Sequence, residues 1–173
     1  ATNASEKSTD ERNVAGKCAD GKTRNVYNTA CVFDRCGNCI ATYDKVHLFS
    51  PMGEGDAFTA GERICQFTLD GIPCGLIICY DLRFPEPFQI LSKSAELIVV
   101  PANWPSARRE HWDTLLRARA IENQVYIAGI NCAGSMGGQY YSGDSVLYRP
   151  DGTKVQAERN ILSGKEAIPE EAV

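Results

Sequence analysis

The chain reads as an α/β protein, and two observations predict it. Short apolar runs such as Leu97–Val100 and Val125–Asn131 have the length and composition of buried strands, and a stretch of helical periodicity separates them. The second observation is Cys79, which closes the run Leu76-Ile77-Ile78 and leads at once into the charged, proline-stopped segment Asp81, Arg83, Pro85 and Glu86. The carboxyl end of a buried strand is where open α/β sheets place their chemistry, because loops there vary without disturbing the core. The bland alternative for Cys79 is a packed core thiol.

Each element follows in order. Residues 1–24 are polar and lack hydrophobic periodicity, so they are expected to form a mobile segment. Two β-rich runs near 26–34 and 39–44 flank Asp34, Gly37 and Asn38, a hairpin signal. A Gly-rich loop fills 50–61, and a second hairpin joins runs near 63–69 and 73–79. Pro85 opens a helix that reaches about Ser94. Leu97–Val100 is a strand stopped by Pro101. From Ser106 to Gln124 the apolar residues Trp112, Leu115, Leu116, Ala120 and Ile121 recur at helical spacing. Val125–Asn131 is another buried strand, and Ser145–Tyr148 with Gly152–Val155 makes a last hairpin. The expected organisation is a polar segment 1–24, a domain over 25–160, and a tail 161–173 that receives no element.

At 173 residues, 43% hydrophobic and 23% charged, the chain can bury one sizeable core. A net charge of -4 gives no electrostatic attraction to nucleic acid or a membrane surface. No apolar stretch has transmembrane length and the first residues lack the apolar centre of a signal peptide, so a cytoplasmic location is expected. Reduced thiols are then the default for Cys18, Cys31, Cys36, Cys39, Cys65, Cys74, Cys79 and Cys132. Cys36 and Cys39 have the spacing of half a zinc site or of a redox motif. Four ligands are needed for the first and a following helix for the second. Cys18 and Cys31 are not spaced as a second knuckle and the flanks are β-rich, so a hairpin turn is the reading adopted, with a metal or redox module as the alternative. His47 and His111 lack a second ligand at metal spacing and read as structural.

Three side chains suit one kind of chemistry. Lys45 ends a strand, Glu54 lies in the Gly-rich loop, and Cys79 ends the next long strand. Amide hydrolysis through a thioester needs a thiolate nucleophile, a carboxylate to move protons and a cation for the oxyanion. Taken singly, Lys45 and Glu54 read as ordinary solvated charges. Arg83, Asn103, Trp104 and Tyr141 follow strand ends and are expected to line the substrate pocket, whereas Arg117, Arg119 and Glu122 read as helix-surface or interface ion pairs.

The ordered blocks Tyr43-Asp-Lys-Val-His-Leu-Phe49, Gly53-Glu54 with Phe58-Thr-Ala-Gly61, Cys79-Tyr-Asp-Leu-Arg-Phe-Pro-Glu86, Pro101-Ala-Asn-Trp-Pro105, His111-Trp112, Leu116-Arg-Ala-Arg-Ala-Ile-Glu-Asn-Gln124 and Tyr141-Ser-Gly-Asp-Ser145 closely resemble the carbon–nitrogen hydrolase (nitrilase) superfamily over residues 25–155. The Asn-Trp-Pro and Tyr-Ser-Gly-Asp-Ser blocks are most similar to the omega-amidase branch, whose members hydrolyse the terminal amide of 2-oxo dicarboxylic acid monoamides. The resemblance implies an α-β-β-α sandwich and a Glu-Lys-Cys triad. Cys79 would be the nucleophile, Lys45 would hold the oxyanion beside the backbone amide of Tyr80, and Glu54 would position the lysine and substrate. It implies no metal or organic cofactor, a small carboxylate-bearing amide for which Arg83 is a natural receptor, and a homodimer or larger assembly formed through the helices after the cysteine and in the Arg-Ala-Arg-Ala-Ile-Glu block. The family's general-base glutamate lies upstream of the lysine in a Pro-Glu context, and nothing before Tyr43 fits; Glu6 and Glu11 sit in a polar segment without flanking strands. The fold is therefore expected to be N-terminally incomplete, with a catalytically inactive fragment or assembly subunit as the alternative to an amidase. Cys79 is expected to be the most reactive thiol, because a neighbouring Lys45 ammonium would favour its thiolate.

Overall fold

A computed structural model of the chain describes residues 15–17 and 23–156. Two short strands, β1 (Ala15–Lys17) and β2 (Thr23–Asn25), pair antiparallel, so part of the segment given no element from its composition is β structure. β3 (Thr29–Phe33) and β4 (Cys39–Asp44) form the next antiparallel pair. Its turn is built by Asp34, whose Oδ1 accepts the N–H groups of Cys36 and Asn38 at 2.8 Å each, with Gly37 at φ 83°. The Cys36-x-x-Cys39 spacing thus belongs to a hairpin turn, and both thiols are free; Cys18 lies outside the described residues. β3 begins three residues later than the β-rich run, since Val26 to Asn28 leave the ladder: the Val26 and Asn28 carbonyls accept Thr59 N–H and Lys45 N–H.

The Gly-rich loop is more ordered than its composition implies. It holds a 3₁₀ turn at Ser50–Met52 and a one-turn helix, α1 (Glu54–Ala57), entered through Gly53 at φ 68°. The central sheet has five strands. β5 (Cys65–Leu69) and β6 (Ile72–Leu76) are an antiparallel hairpin. After β6 come a 3₁₀ turn at Cys79–Arg83 and a short helix α2 (Pro85–Leu91) with proline in its first turn. β7 (Leu97–Ala102), helix α3 (Arg109–Asn123) and β8 (Tyr126–Asn131) follow, then a hairpin of β9 (Ala133–Met136) with β10 (Gln139–Ser142), and finally β11 (Val146–Tyr148). The order across the sheet is β11-β8-β7-β6-β5, with β6, β7 and β8 parallel.

Pro101 does not stop β7, contrary to the expectation from composition. The Val99 carbonyl accepts the Ile77 N–H on the β6 side, so Pro101, two residues on, faces the same side beyond the last rung of β6. No ladder donor is required there, and Pro101 still registers with Ile130 of β8.

Alternation along the strands decides which side carries the helices. Ile98, Val100 and Ile127 are fully buried. A Cβ on Gly75 would meet Leu91 of α2, and one on Gly129 would meet Leu116 and Trp112 of α3. Trp112, Leu116 and Ala120 recur every four residues along α3 and are buried. The β3–β4 hairpin packs Ala30, Val32 and Ala41 onto the same core, whereas Tyr126 and Ile130 on the other side of β8 are exposed. Arg119 corrects the reading of its helix as surface charge: it is buried, pairs with Glu122 at 2.7 Å, and donates to the Leu82 carbonyl through Nε and Nη2. Among the described residues no helix is long and apolar enough to cross a membrane.

Candidate active site

Cys79 is the first residue of its 3₁₀ turn and sits at φ 49°, in the left-handed region that residues with a Cβ seldom occupy. The strand Ile72–Leu76 has ended and the polar sequence Asp81-Leu-Arg83 turns the chain away, which leaves the thiol at the sheet's carboxyl edge. It is half-buried and lines a cavity of about 800 Å³. All eight residues singled out in the sequence line that cavity: Cys79, Lys45, Glu54, Tyr80, Arg83, Asn103, Trp104 and Tyr141.

Lys45 and Glu54 form a nearly dry ion pair, with Nζ 2.6 Å from Oε2 and 2.9 Å from Oε1. The lysine is only 3% exposed, so neither group is the solvated surface charge each would be alone. Glu54 belongs to α1 rather than to a flexible loop, and it also accepts the Phe49 N–H at 2.6 Å and an Asn28 side-chain N–H at 2.8 Å. Burial pushes its carboxyl up, but the combined hydrogen bonds of Lys45, Phe49 and Asn28 hold it below the ordinary value. Glu54 is thus a fixed anion that orients Lys45 and a poor proton acceptor.

The thiol behaves differently from the expectation based on Lys45 alone. Burial raises Cys79 above the usual thiol range, and Glu54 and Asp81 add to that. The Lys45 ammonium and an N–H bond from the Asn103 backbone oppose the rise without cancelling it. In the free site the balance of these groups disfavours the Cys79 thiolate.

Besides Lys45, the walls carry a second cation, Arg83, and several rings. The Arg83 guanidinium lies 5.1 Å from the centre of the Trp104 ring and 5.8 Å from that of Tyr80, and its Nη2 donates to His111 Nδ1 at 3.2 Å. Trp104 is held by its indole N–H on the Arg108 carbonyl and by Asn131, whose Oδ1 accepts Trp104 N–H at 2.7 Å while Nδ2 donates to the Trp104 and Gly143 carbonyls. Asn28 and Asn131 were not legible in the sequence. The first lies in a stretch read as strand, and the second carried one signal, a lone amide closing an apolar strand. Cys132 also lines the cavity. Glu6 and Glu11 lie outside the described residues.

The carbon–nitrogen hydrolase family model matches residues 8–160. The chain is 42% identical over 146 residues to a 2-oxoglutaramate amidase of Bacillus subtilis, covering 84% of this chain and 56% of that protein. It is 43% identical over 142 residues to the omega-amidase YafV of Escherichia coli K12, covering 75% and 55%. An amidase structure from a Nesterenkonia species matches with TM-score 0.68 and 34% identity over 73% of this chain and 48% of that one. A CN-hydrolase superfamily protein of Xanthomonas campestris, with an arsenic adduct in its active site, matches with TM-score 0.68 and 34% identity over 75% and 52%. The chain spans about half the length of the relatives it matches. With the family match extending over residues 8–160 and the sheet and helices matching solved members, the chain belongs to the carbon–nitrogen hydrolase family.

Proposed function

We propose that this chain carries the nucleophile and oxyanion side of an amidase site, acting on a small amide that also bears a carboxylate. The observation that supports it most is the convergence, from three separate elements, of Cys79, Lys45 and Glu54 on one cavity. In this reading the amide carbonyl enters between Lys45 Nζ and the Tyr80 N–H, and Cys79 Sγ attacks the carbon. The Cys79 proton and the breaking C–N bond together release ammonia, which leaves a thioester. Water then cleaves the S–C bond to give a carboxylic acid and the free thiol. Binding at the oxyanion site offsets the raised thiol value, because the negative charge forms where Lys45 is already fixed. Arg83, braced on two aromatic rings, receives the substrate carboxylate. A cavity of about 800 Å³ suits a small metabolite, and the relatives' names favour a 2-oxo dicarboxylic acid monoamide.

Glu54 is the only carboxylate among the described residues that line the cavity, and both its oxygens are engaged by Lys45. Proton delivery and activation of water then rest on a carboxylate outside the described residues, and loss of such a group costs about 10²–10⁴-fold in rate. The test uses fluoroacetamide, a weak electrophile that needs its amide recognised. Peptide mapping is expected to find it on Cys79 and not on the exposed Cys31, Cys36 or Cys39, with ammonia release from 2-oxo amides abolished in Cys79→Ala. Labelling of the exposed thiols with Cys79 untouched would overturn the assignment. Ammonia release that survives Cys79→Ala would overturn it as well.

A further inference from the structure

Asp81 is the only carboxylate among the described residues that is wholly buried, and the mechanism above does not use it. Its Oδ2 accepts the Ile78 backbone N–H and the Tyr43 hydroxyl, each at 2.9 Å. Its Oδ1 accepts the His47 backbone N–H at 2.9 Å and the His47 ring Nδ1–H at 2.8 Å. The sequence positions of these donors matter. Ile78 immediately precedes Cys79, and Tyr43 and His47 stand two residues either side of Lys45. From this geometry we infer that Asp81 is a positioning residue: one buried carboxylate ties the turn that presents Cys79 to the segment that presents Lys45, and so sets thiol and ammonium against each other.

Both halves need such a tie. Cys79 is held at φ 49°, which a side chain adopts only when its surroundings over-determine the backbone. The carboxylate fixes the residue before it, and Arg119 of α3 fixes the residues after it through the Leu82 carbonyl at 3.2 and 3.1 Å. The Lys45 ammonium is bound to Glu54 on α1, which says nothing about its register with Cys79; Asp81 supplies that register through the flanking backbone. His47 is itself fixed by stacking on Phe84, with centroids 3.7 Å apart and planes 10° from parallel. Four donors on one carboxylate leave it no spare capacity for substrate.

The inference rests on reading Cys79 as the nucleophile, and its test separates the two. The groups that bear on the Cys79 sulfur are Lys45 from the end of β4, Glu54 from α1, Asp81 from its own turn and the Asn103 amide beyond β7. As a charge, Asp81 opposes the thiolate, so Asp81→Asn in an unmoved site would speed alkylation. As a positioning residue, its loss lets Lys45 and the Asn103 amide drift from the sulfur and slows it. Iodoacetamide rates at each cysteine, read by peptide mapping across pH, distinguish these signs. In Asp81→Asn the Cys79 rate is expected to fall about tenfold, with its pH profile moved about one unit to the alkaline side. The buried Cys65 and Cys74 stay protected and Cys132 in the same cavity keeps its rate. An unchanged or faster Cys79, or a parallel rise at Cys65 and Cys74, would overturn the proposal in favour of a role in the core alone. Should Asp81→Asn not fold, Tyr43→Phe decides: it keeps the carboxylate and three of its donors, and is expected to slow Cys79 about threefold, while no change would overturn the proposal. Iodoacetamide needs no amide recognition, so failure of fluoroacetamide to label Cys79 would reject the functional reading and leave the Asp81 measurement standing.

Discussion

A lysine 3% exposed keeps its charge only while a carboxylate faces it, and here that carboxylate is Glu54 at 2.6 Å. Glu54→Gln would leave the ammonium buried and unpaired, at a cost of about 3–5 kcal/mol in unfolding free energy. Urea melts check this, and a loss under about 1 kcal/mol would place the pair among solvated ion pairs. The same variant should also lower fluoroacetamide labelling of Cys79, since the oxyanion donor is no longer oriented. At this scale the sequence was informative where a residue type carries its own chemistry. Cys79, Lys45 and Glu54 stand out because a thiol, an ammonium and a carboxylate recur in ordered, recognisable blocks. Asn28, Asp81 and Asn131 each reach at least one partner 26 to 38 residues away, and local pattern does not report such distant hydrogen bonds. The thiol's protonation was also out of reach, because it is a balance between burial and Lys45 that only the packed site sets.

Elements were read best where periodicity is strong and worst where topology overrides composition. α3 was legible from Trp112, Leu116 and Ala120, and its end at Asn123 is marked by Gln124 in the left-handed conformation. β7 is two residues longer than its composition predicts, since Pro101 is a breaker only where its N–H would be needed, and that depends on where β6 ends. The β9–β10 hairpin gives no pattern to read because its strands are short and largely exposed, without an inward alternation. The contact between α3 and β8 is close enough to predict a failure. A Cβ on Gly129 would stand 2.7 Å from Trp112 Cζ2 and closer still to Leu116, and Trp112 is 1% exposed with little room to move. Gly129→Ala is expected to lose about 1–3 kcal/mol by overpacking, read as a lowered urea midpoint with an unchanged slope. A neutral result would show that α3 shifts freely on the sheet, and with it the Arg119 hold on Leu82.

At the scale of the whole molecule, sheet order and the grouping of three elements around one cavity could be expected only through the family resemblance, because neither follows from the pattern of any single element. What the folded molecule adds is a set of linked titrations with opposite signs. Glu54 is held below its ordinary 4.5, so its contribution to stability is present above that value and is lost as pH falls through the lower folded value. Asp113, paired with Lys154 and hydrogen-bonded by Tyr148, is shifted the same way, but it is about half exposed and solvent screening reduces its share. Cys65, Cys74 and Cys79 are all raised above 9.0 chiefly by burial, so what they contribute is present below 9.0 and is lost as pH rises through their folded values. Tyr43, buried beside Asp81, moves in the same direction, and Tyr148, pushed up by burial and Asp113 to about 12, loses its part between 10.0 and that value. Stability should therefore form a plateau bounded by an acid limb below 4.5, set first by Glu54, and an alkaline limb above 9.0, set first by the buried thiols. Thermal melts across pH locate both limbs. In Glu54→Gln the acid limb should flatten while the alkaline limb stays, because the two arise from different groups. Stability that stayed level or rose above 9.0 would mean that the three thiols ionise at least as freely folded as unfolded, and would overturn the assignment of the alkaline limb to them.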